Sequence, residues 1–410
     1  MSQVSLLDMP EKPMKRIMAA CEFRSILSLY KTCHQLRTFI KINKPGPQIV
    51  QIGFTRRIVS KSHCSSIYLS ISFDEWHDRD KYSSCSGCFK LFYTKQPNGC
   101  EIVWNPSESY SFTYDIHQRK MLRDQDYKDI FMRDLQVILD LQKSSVKKFH
   151  FCGGTMLSEI FHEAMKTRSS TSKFQVQEIE FSLYTQQQIL DVLSYFCPKT
   201  LDSLRIYCFE DIKEKYMTLT EVSKTEQWKC ANRIELLYGQ FVVPIENFVH
   251  FNRGSVIFET CTVENLRVLK EAFLASKSAS KHFCLTFIRW REQDAIKQFL
   301  DSNLEMDIAQ NRFLYRRPHN PCQILRIEFE ENRGDKNHNV TFDVLKIDEI
   351  TEDEKARLPK IEIHPKMILK GLIEELTKNS ENSEDMKEEQ PVMTHFSGIG
   401  DHFSCCCCYL

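Results

Sequence analysis

Residues 146–208 read VKKFHFCGGTMLSEIFHEAMKTRSSTSKFQVQEIEFSLYTQQQILDVLSYFCPKTLDSLRIYC, and the reading of this stretch decides the fold. Apolar residues alternate with polar ones over Val146–Phe151 and then recur at helical spacing over Met156–Met165. The same change of period follows at Val176–Phe181 and Gln186–Phe196, and a third alternating run covers Leu201–Cys208. Working outward, strands are predicted at Asn232–Tyr238, Ser255–Cys261, His282–Ile288 and Ile324–Phe329, with helical text at Val263–Leu274 and, upstream, from Met132 to Leu141.

The predicted strand centres recur at roughly 25 to 30 residues, the spacing of leucine-rich-type solenoids. Each unit of such an array buries its apolar face only against its neighbours, and the sheet leaves one broad concave surface. The Leu-x-x-Leu-x-Leu pattern is poorly kept, so an irregular solenoid and a plain α/β domain both fit the spacing. Between Lys41 and this region the text changes character. Pro45-Gly46-Pro47 marks a linker, and Ile49–Phe54, Ser66–Phe73, Phe89–Tyr93 and Cys100–Trp104 alternate with period two, the last pair joined by the turn signal Pro97-Asn98-Gly99. A small antiparallel meander is expected there.

The N-terminal stretch Met9–Ile40 holds three short helical patterns. Asp8 is a candidate cap, Pro10 sits where an early helical position loses no hydrogen bond, and Glu11 favours the positive helix end. Met14, Ile17, Met18 and Cys21 then form one apolar stripe; Phe23, Ile26, Leu27, Leu29 and Tyr30 form a second, and Cys33, Leu36, Phe39 and Ile40 a third. A unit this small is not independently stable, since below roughly 40 residues a domain usually needs a metal, a disulfide or a partner.

These residues resemble the F-box in register and without a gap. Met9-Pro10-Glu11 stands where that motif opens, Ile17-Met18 and Cys21 match its first helix, and Ile26, Leu27, Leu29 and Cys33 match the second. Cys33-His34-Gln35-Leu36-Arg37 is similar to the signature opening the third. The resemblance implies that Met9, Pro10, Ile17, Met18, Ile26, Leu29, Cys33 and Leu36 dock on a Skp-type adaptor and, through it, on a cullin that carries the ubiquitin-transfer machinery. Pro13 and Thr32 depart from the motif, which implies a weaker adaptor contact than usual.

A second resemblance lies downstream. Leu193-Ser194-Tyr195-Phe196 with Pro198 and Leu201, Glu226-Gln227-Trp228-Lys229-Cys230-Ala231, Asn247-Phe248-Val249-His250-Phe251, and Thr262–Leu266 with Leu269–Phe273 are similar to the FTH domain. That domain accompanies an F-box in a large nematode-expanded group, the F-box A type. There it implies a protein-binding module for the ligase target, which the resemblance does not identify. The expected fold is α+β: a three-helix F-box over residues 5–42, a β-rich region over 46–110 and strand–helix repeats containing the FTH domain over 111–330. A charged extension over 331–373 and an acidic tail over 374–410 are expected to follow.

Composition bounds the function. The chain has 410 residues, 42% hydrophobic and 27% charged, with Lys plus Arg and Asp plus Glu both at 55, so no global field steers it to a polyanion or an anionic membrane. No run approaches 18 apolar residues and the start lacks a signal-peptide profile, so a cytoplasmic or nuclear location is expected, with the 17 cysteines read as reduced thiols. Cys85 and Cys88, with Cys64, His77 and Cys100 nearby, lack the second pair that a zinc site requires. Cys407 stands four from the end in a formal C-a-a-X pattern, a lipidation candidate weakened by Tyr409 and by the acidic text upstream. No phosphate loop, nucleophile elbow or metalloprotease helix occurs, and Gly153 and Gly154 are read as a simple chain reversal. No catalytic residue and no cofactor is expected. The alternative to a ligase subunit is a protein-interaction scaffold whose N-terminal helices pack internally.

Overall fold

Where apolar residues alternate with polar ones the chain forms strands, and where they recur every three or four it forms helices. The computed structural model describes residues 9–21, 23–45, 48–59, 64–73, 88–105, 119–142, 145–166, 173–182, 185–208, 216–278, 280–290, 307–308, 312–332 and 337–357. All of them fall in the unit Met1–Leu358, the remainder of the chain being the unit Pro359–Leu410. Three helices open the fold, α1 (Glu11–Ala19), α2 (Phe23–Thr32) and α3 (His34–Asn43). They are followed by strands β1 (Ile49–Val59), β2 (Cys64–Phe73), β3 (Cys88–Gln96), β4 (Gly99–Asn105) and β5 (Arg119–Arg123). Pro97-Asn98 turns β3 into β4, and the φ of +133° at Gly99 is a conformation that side chains rarely adopt.

Helices and parallel strands then alternate: α4 (Tyr127–Leu141), β6 (Val146–Cys152), α5 (Thr155–Lys166), β7 (Val176–Ser182), α6 (Gln186–Leu193) and β8 (Ser203–Tyr207). Next come β9 (Tyr216–Thr218), α7 (Glu226–Cys230), β10 (Arg233–Leu237), β11 (Gln240–Val242), β12 (Arg253–Cys261), α8 (Val263–Ala275) and β13 (Lys281–Trp290). The chain continues through β14 (Asp307–Ile308), β15 (Arg312–Arg317), β16 (Asn320–Asn332) and β17 (Asn337–Lys346) to a short helix, Glu352–Arg357.

Among the described residues these strands make one large mixed sheet in the order β14-β15-β16-β17-β13-β12-β10-β8-β7-β6-β1-β2-β3-β4-β5, with β9 and β11 paired apart from it. Its middle is parallel: β1, β6, β7, β8, β10, β12 and β13 run the same way, flanked on both sides by antiparallel meanders. From β6 to β13 each parallel strand lies beside its predecessor. Crossovers of one hand then place every intervening helix on the same face. That face is the core: Phe149, Phe151, Ile179, Phe181, Leu204, Ile206, Ile234, Leu236 and Val256 are all at 0% exposure. Phe161 of α5 packs against Phe54, Phe149 and Phe151 at 5.6 to 5.8 Å between ring centroids, and Phe273 of α8 against Phe283 at 6.3 Å.

Two features bear on the organisation expected along the chain. The antiparallel strands β1 to β4 belong to the same sheet as the strand–helix region, because β1 pairs in parallel with β6. The expected extension after residue 330 contributes β17, which inserts between β13 and β16. The architecture is therefore mixed α/β around one large mixed sheet, with units of uneven size: α7 has 5 residues and α8 has 13.

The three N-terminal helices seat on their own chain. Phe23 meets Phe73 at 4.9 Å and Phe89 at 6.2 Å, Lys31 pairs with Asp134 of α4 at 2.8 Å, and Lys44 donates to the Gln142 carbonyl at 2.7 Å. Asp8 and Cys407 lie outside the described residues, as do Cys85 and His77.

Candidate protein-interaction surfaces

Among the described residues the helices between the parallel strands lie on one face of the sheet, and none covers the other. The polar residues of each strand point there, and the register aligns them into rows: Lys148 opposite Glu178, His150 opposite Glu180, Glu180 opposite Arg205, Arg205 opposite Glu235. Each row closes into ion pairs. Lys148 lies 3.3 Å from Glu178 and 2.6 Å from Glu180, Arg205 reaches Glu178 at 3.4 Å and Glu235 at 3.1 Å, and Arg233 pairs with Glu235. Further along, His282 contacts Asp343 at 2.6 Å, Arg326 the same carboxylate at 2.8 Å, and Arg312 Glu328 at 2.6 Å.

The local electrostatics follow from burial and pairing. Burial holds His150 below its ordinary value, although Glu180 is 3.5 Å away. Burial alone would lower Arg205, but Glu178 and Glu235 outweigh it and hold the guanidinium above its usual value. The hydrogen bond to Asp343 raises His282. Burial would raise Asp343 itself, yet His282 and Arg326 prevail and hold that carboxyl low.

At the carboxyl edge of this face the character changes. Tyr207, whose phenol is pushed up to about 12 by burial and then by Glu180, stacks on Tyr238 with centroids 5.8 Å apart. Tyr238 is 65% exposed and adopts φ +60°, the left-handed region that non-glycine residues seldom enter. Ile288, 36% exposed, adds apolar surface. An exposed aromatic held in a costly backbone conformation is the kind of feature that marks a contact surface. A cavity of about 240 Å³ opens beyond β12, but its polar lining is occupied internally, Tyr216 donating to Glu259 at 2.7 Å.

The residues predicted to meet an adaptor are distributed over the helical unit. Pro10 and Ile17 are exposed, and Met9, Leu29 and Cys33 half-buried. Met18 and Ile26 are fully enclosed and Leu36 nearly so, on the sides that face the rest of the chain. Among the described residues no group of three or more His, Cys, Asp or Glu side chains is placed to hold a metal, and no helix is long and apolar enough to cross a membrane. The charged rows and Tyr238 escaped the sequence reading. Their signal was present: VKKFHFC, VQEIEFS, SLRIY and RIELL carry charges between apolar positions, and matching offsets bring opposite signs together.

Residues 158–303 match the model of the FTH domain, which takes in the strands from β7 to β13 and their helices. Over 232 residues the chain is 21% identical to F-box A protein 224 of Caenorhabditis elegans. That alignment covers 55% of this chain and 57% of the relative, so the similarity spans little more than half of either. No solved structure matches.

Proposed function

We propose that this protein is a non-catalytic recognition subunit with two contact surfaces. The uncovered face of the parallel strands binds a protein target, and α1–α3 dock on a Skp-type adaptor that links it to a cullin ubiquitin ligase. The observation that carries the first half is the sheet face that no described helix covers, with the exposed Tyr238 at its edge. In this reading the strand–helix units act as an irregular solenoid, presenting one broad surface to a folded partner. The second half is supported by the F-box-like spacing from Met9 to Leu36, by the similarity to an F-box A protein, and by the exposure of Pro10 and Ile17. Such a subunit contributes proximity and orientation, raising the effective concentration of target at the transfer machinery without chemistry of its own.

A second reading has an observation in its favour. Met18, Ile26 and Leu36 are buried in their own chain, as they would be in an interaction scaffold that never meets a ligase. Co-purification of the full chain with a Skp-type adaptor separates the two. The ligase reading requires capture by the wild type and its loss in Ile17→Asp and Leu29→Asp, where a charge enters a desolvated contact at a cost of roughly 2 to 5 kcal/mol. Failure of the wild type to bind any Skp-type adaptor leaves the scaffold.

A further inference from the structure

Two cations lie buried beneath the connection from α8 to β13, and among the described residues no carboxylate pairs with either. Arg317, on β15, is 3% exposed; its Nη1 donates to the Ser278 carbonyl at 2.8 Å and to Gln323 Oε1, while its Nε finds no acceptor among the described residues. Lys281, the first residue of β13, is 4% exposed and donates from Nζ to the Val249 carbonyl at 3.0 Å. The Phe273 ring centroid lies 4.9 Å from the same Nζ. Burial, reinforced by the Arg317 charge, pulls the Lys281 ammonium down to about 8, and burial lowers Arg317 as well.

Arginine does not give up its proton in a protein, so this charge must be met by something. The neutral Ser278 carbonyl and Gln323 amide oxygen meet part of it, and an Nε without an acceptor among the described residues remains. Above the pair lies a serine-rich connection. The Ser278 amide donates to Ser276 Oγ at 3.2 Å, and Ser278 Oγ donates to the Ser280 carbonyl at 3.0 Å, with Ser280 exposed.

We propose that Arg317 and Lys281 form a site for one tetrahedral oxyanion of the phosphate class under the α8–β13 connection. Such an anion offers the acceptor that Nε lacks, engages the guanidinium edge through two parallel hydrogen bonds and keeps Lys281 protonated. One chemistry has two sources here: free phosphate, or a phosphoryl group carried by Ser278. No step beyond binding is implied for the first. The second requires transfer of a phosphoryl group from a nucleoside triphosphate by a protein kinase, which breaks the terminal P–O bond, forms the serine ester and releases the diphosphate and the hydroxyl proton.

The full chain is unfolded thermally in inorganic phosphate and in chloride at matched ionic strength, alongside a chain carrying phosphoserine at 278. A saturable rise of several degrees in the wild type with phosphate, absent in Arg317→Gln and at least tenfold weaker in Lys281→Met, supports the site. Should phosphoserine 278 raise the midpoint and abolish the response to added phosphate, the chain's own serine is the source. Should it lower the midpoint while free phosphate still raises that of the wild type, the free anion is. An equal phosphate response in wild type and Arg317→Gln overturns the proposal, as does a wild type unmoved by phosphate and destabilised by phosphoserine 278. Because Arg317 is buried and its substitution also tests folding, line broadening of the phosphate ³¹P resonance is read on the wild type. No broadening there, with destabilisation by phosphoserine 278, likewise overturns the proposal.

Discussion

A Cβ added to Gly254 would stand 2.2 Å from Cε2 of the buried Phe283 ring on the neighbouring strand. The ring is enclosed by Phe248 and Phe273 and has nowhere to turn. Gly254→Ala should therefore destabilise the protein by about 1 to 3 kcal/mol, read as a lower urea midpoint with an unchanged slope. Next to Phe283 on the same strand, His282 and its partner Asp343 on β17 give a pH signature. The histidine pKa is raised on folding, so its contribution is full below about 6.5 and is lost as pH rises through the folded value. The Asp343 pKa is lowered, so its contribution is present above about 3.9 and is lost as pH falls through the folded value. Both act together between about pH 4 and 6.5. His282→Gln should cost stability at pH 5.5 and little at pH 8.5; an equal loss at both values would rule out the linkage.

At the scale of elements, α8 is set by a capping box, Thr262 accepting from the Asn265 amide at 3.2 Å while Asn265 Oδ1 accepts from the Thr262 amide at 3.1 Å. Thr262→Ala should cost about 1 kcal/mol, measured by chemical denaturation. That helix was legible, as were α5 and α6 and the strands β6, β7, β8, β10, β12 and β13, because a local change of period announces them; the three-residue strands β9 and β11 were not read. The strand β17 was not read, though Val340, Phe342 and Val344 alternate and are buried. It pairs with β16 as a hairpin, but its place beside β13 depends on pairing between residues 51 to 63 apart, from Phe287 with His338 to Lys281 with Val344, for which no local pattern exists. A chain ending at residue 330 removes β17 and leaves β13 and β16 with unpaired edges in the middle of the sheet. Such a chain should be insoluble, whereas one ending at residue 358 should give a single cooperative unfolding transition; a soluble, cooperatively unfolding 330-residue chain would refute this.

For the molecule as a whole, the N-terminal helices are part of the fold as well as a candidate contact. Removing residues 1–47 strips Phe23 from Phe73 and Phe89 and uncovers the flank of α4. The truncated chain should unfold several degrees lower and bind more of a hydrophobic dye than the intact protein. The apolar stripes of α1–α3 were plain in the sequence, but a spacing of three and four serves an internal contact and an external one equally. Hence the pattern could not separate Met18 and Ile26, which face inward, from Ile17, which faces out. An open sheet face was an expectation of the solenoid reading, since a one-handed series of strand–helix units places its helices on one side. Its charges were not, because pairing between neighbouring strands is a property of register.

Those paired charges set the tempo of any encounter at that face. A surface whose cations and anions already neutralise one another projects little potential beyond a Debye length of about 8 Å at physiological salt, and so gives a diffusing partner no long-range guidance. Association would run near the unsteered rate of roughly 10⁵ to 10⁶ M⁻¹s⁻¹, almost indifferent to ionic strength. Selectivity among partners would then reside in how long each stays, governed by contacts such as that of Tyr238, rather than in how fast it arrives.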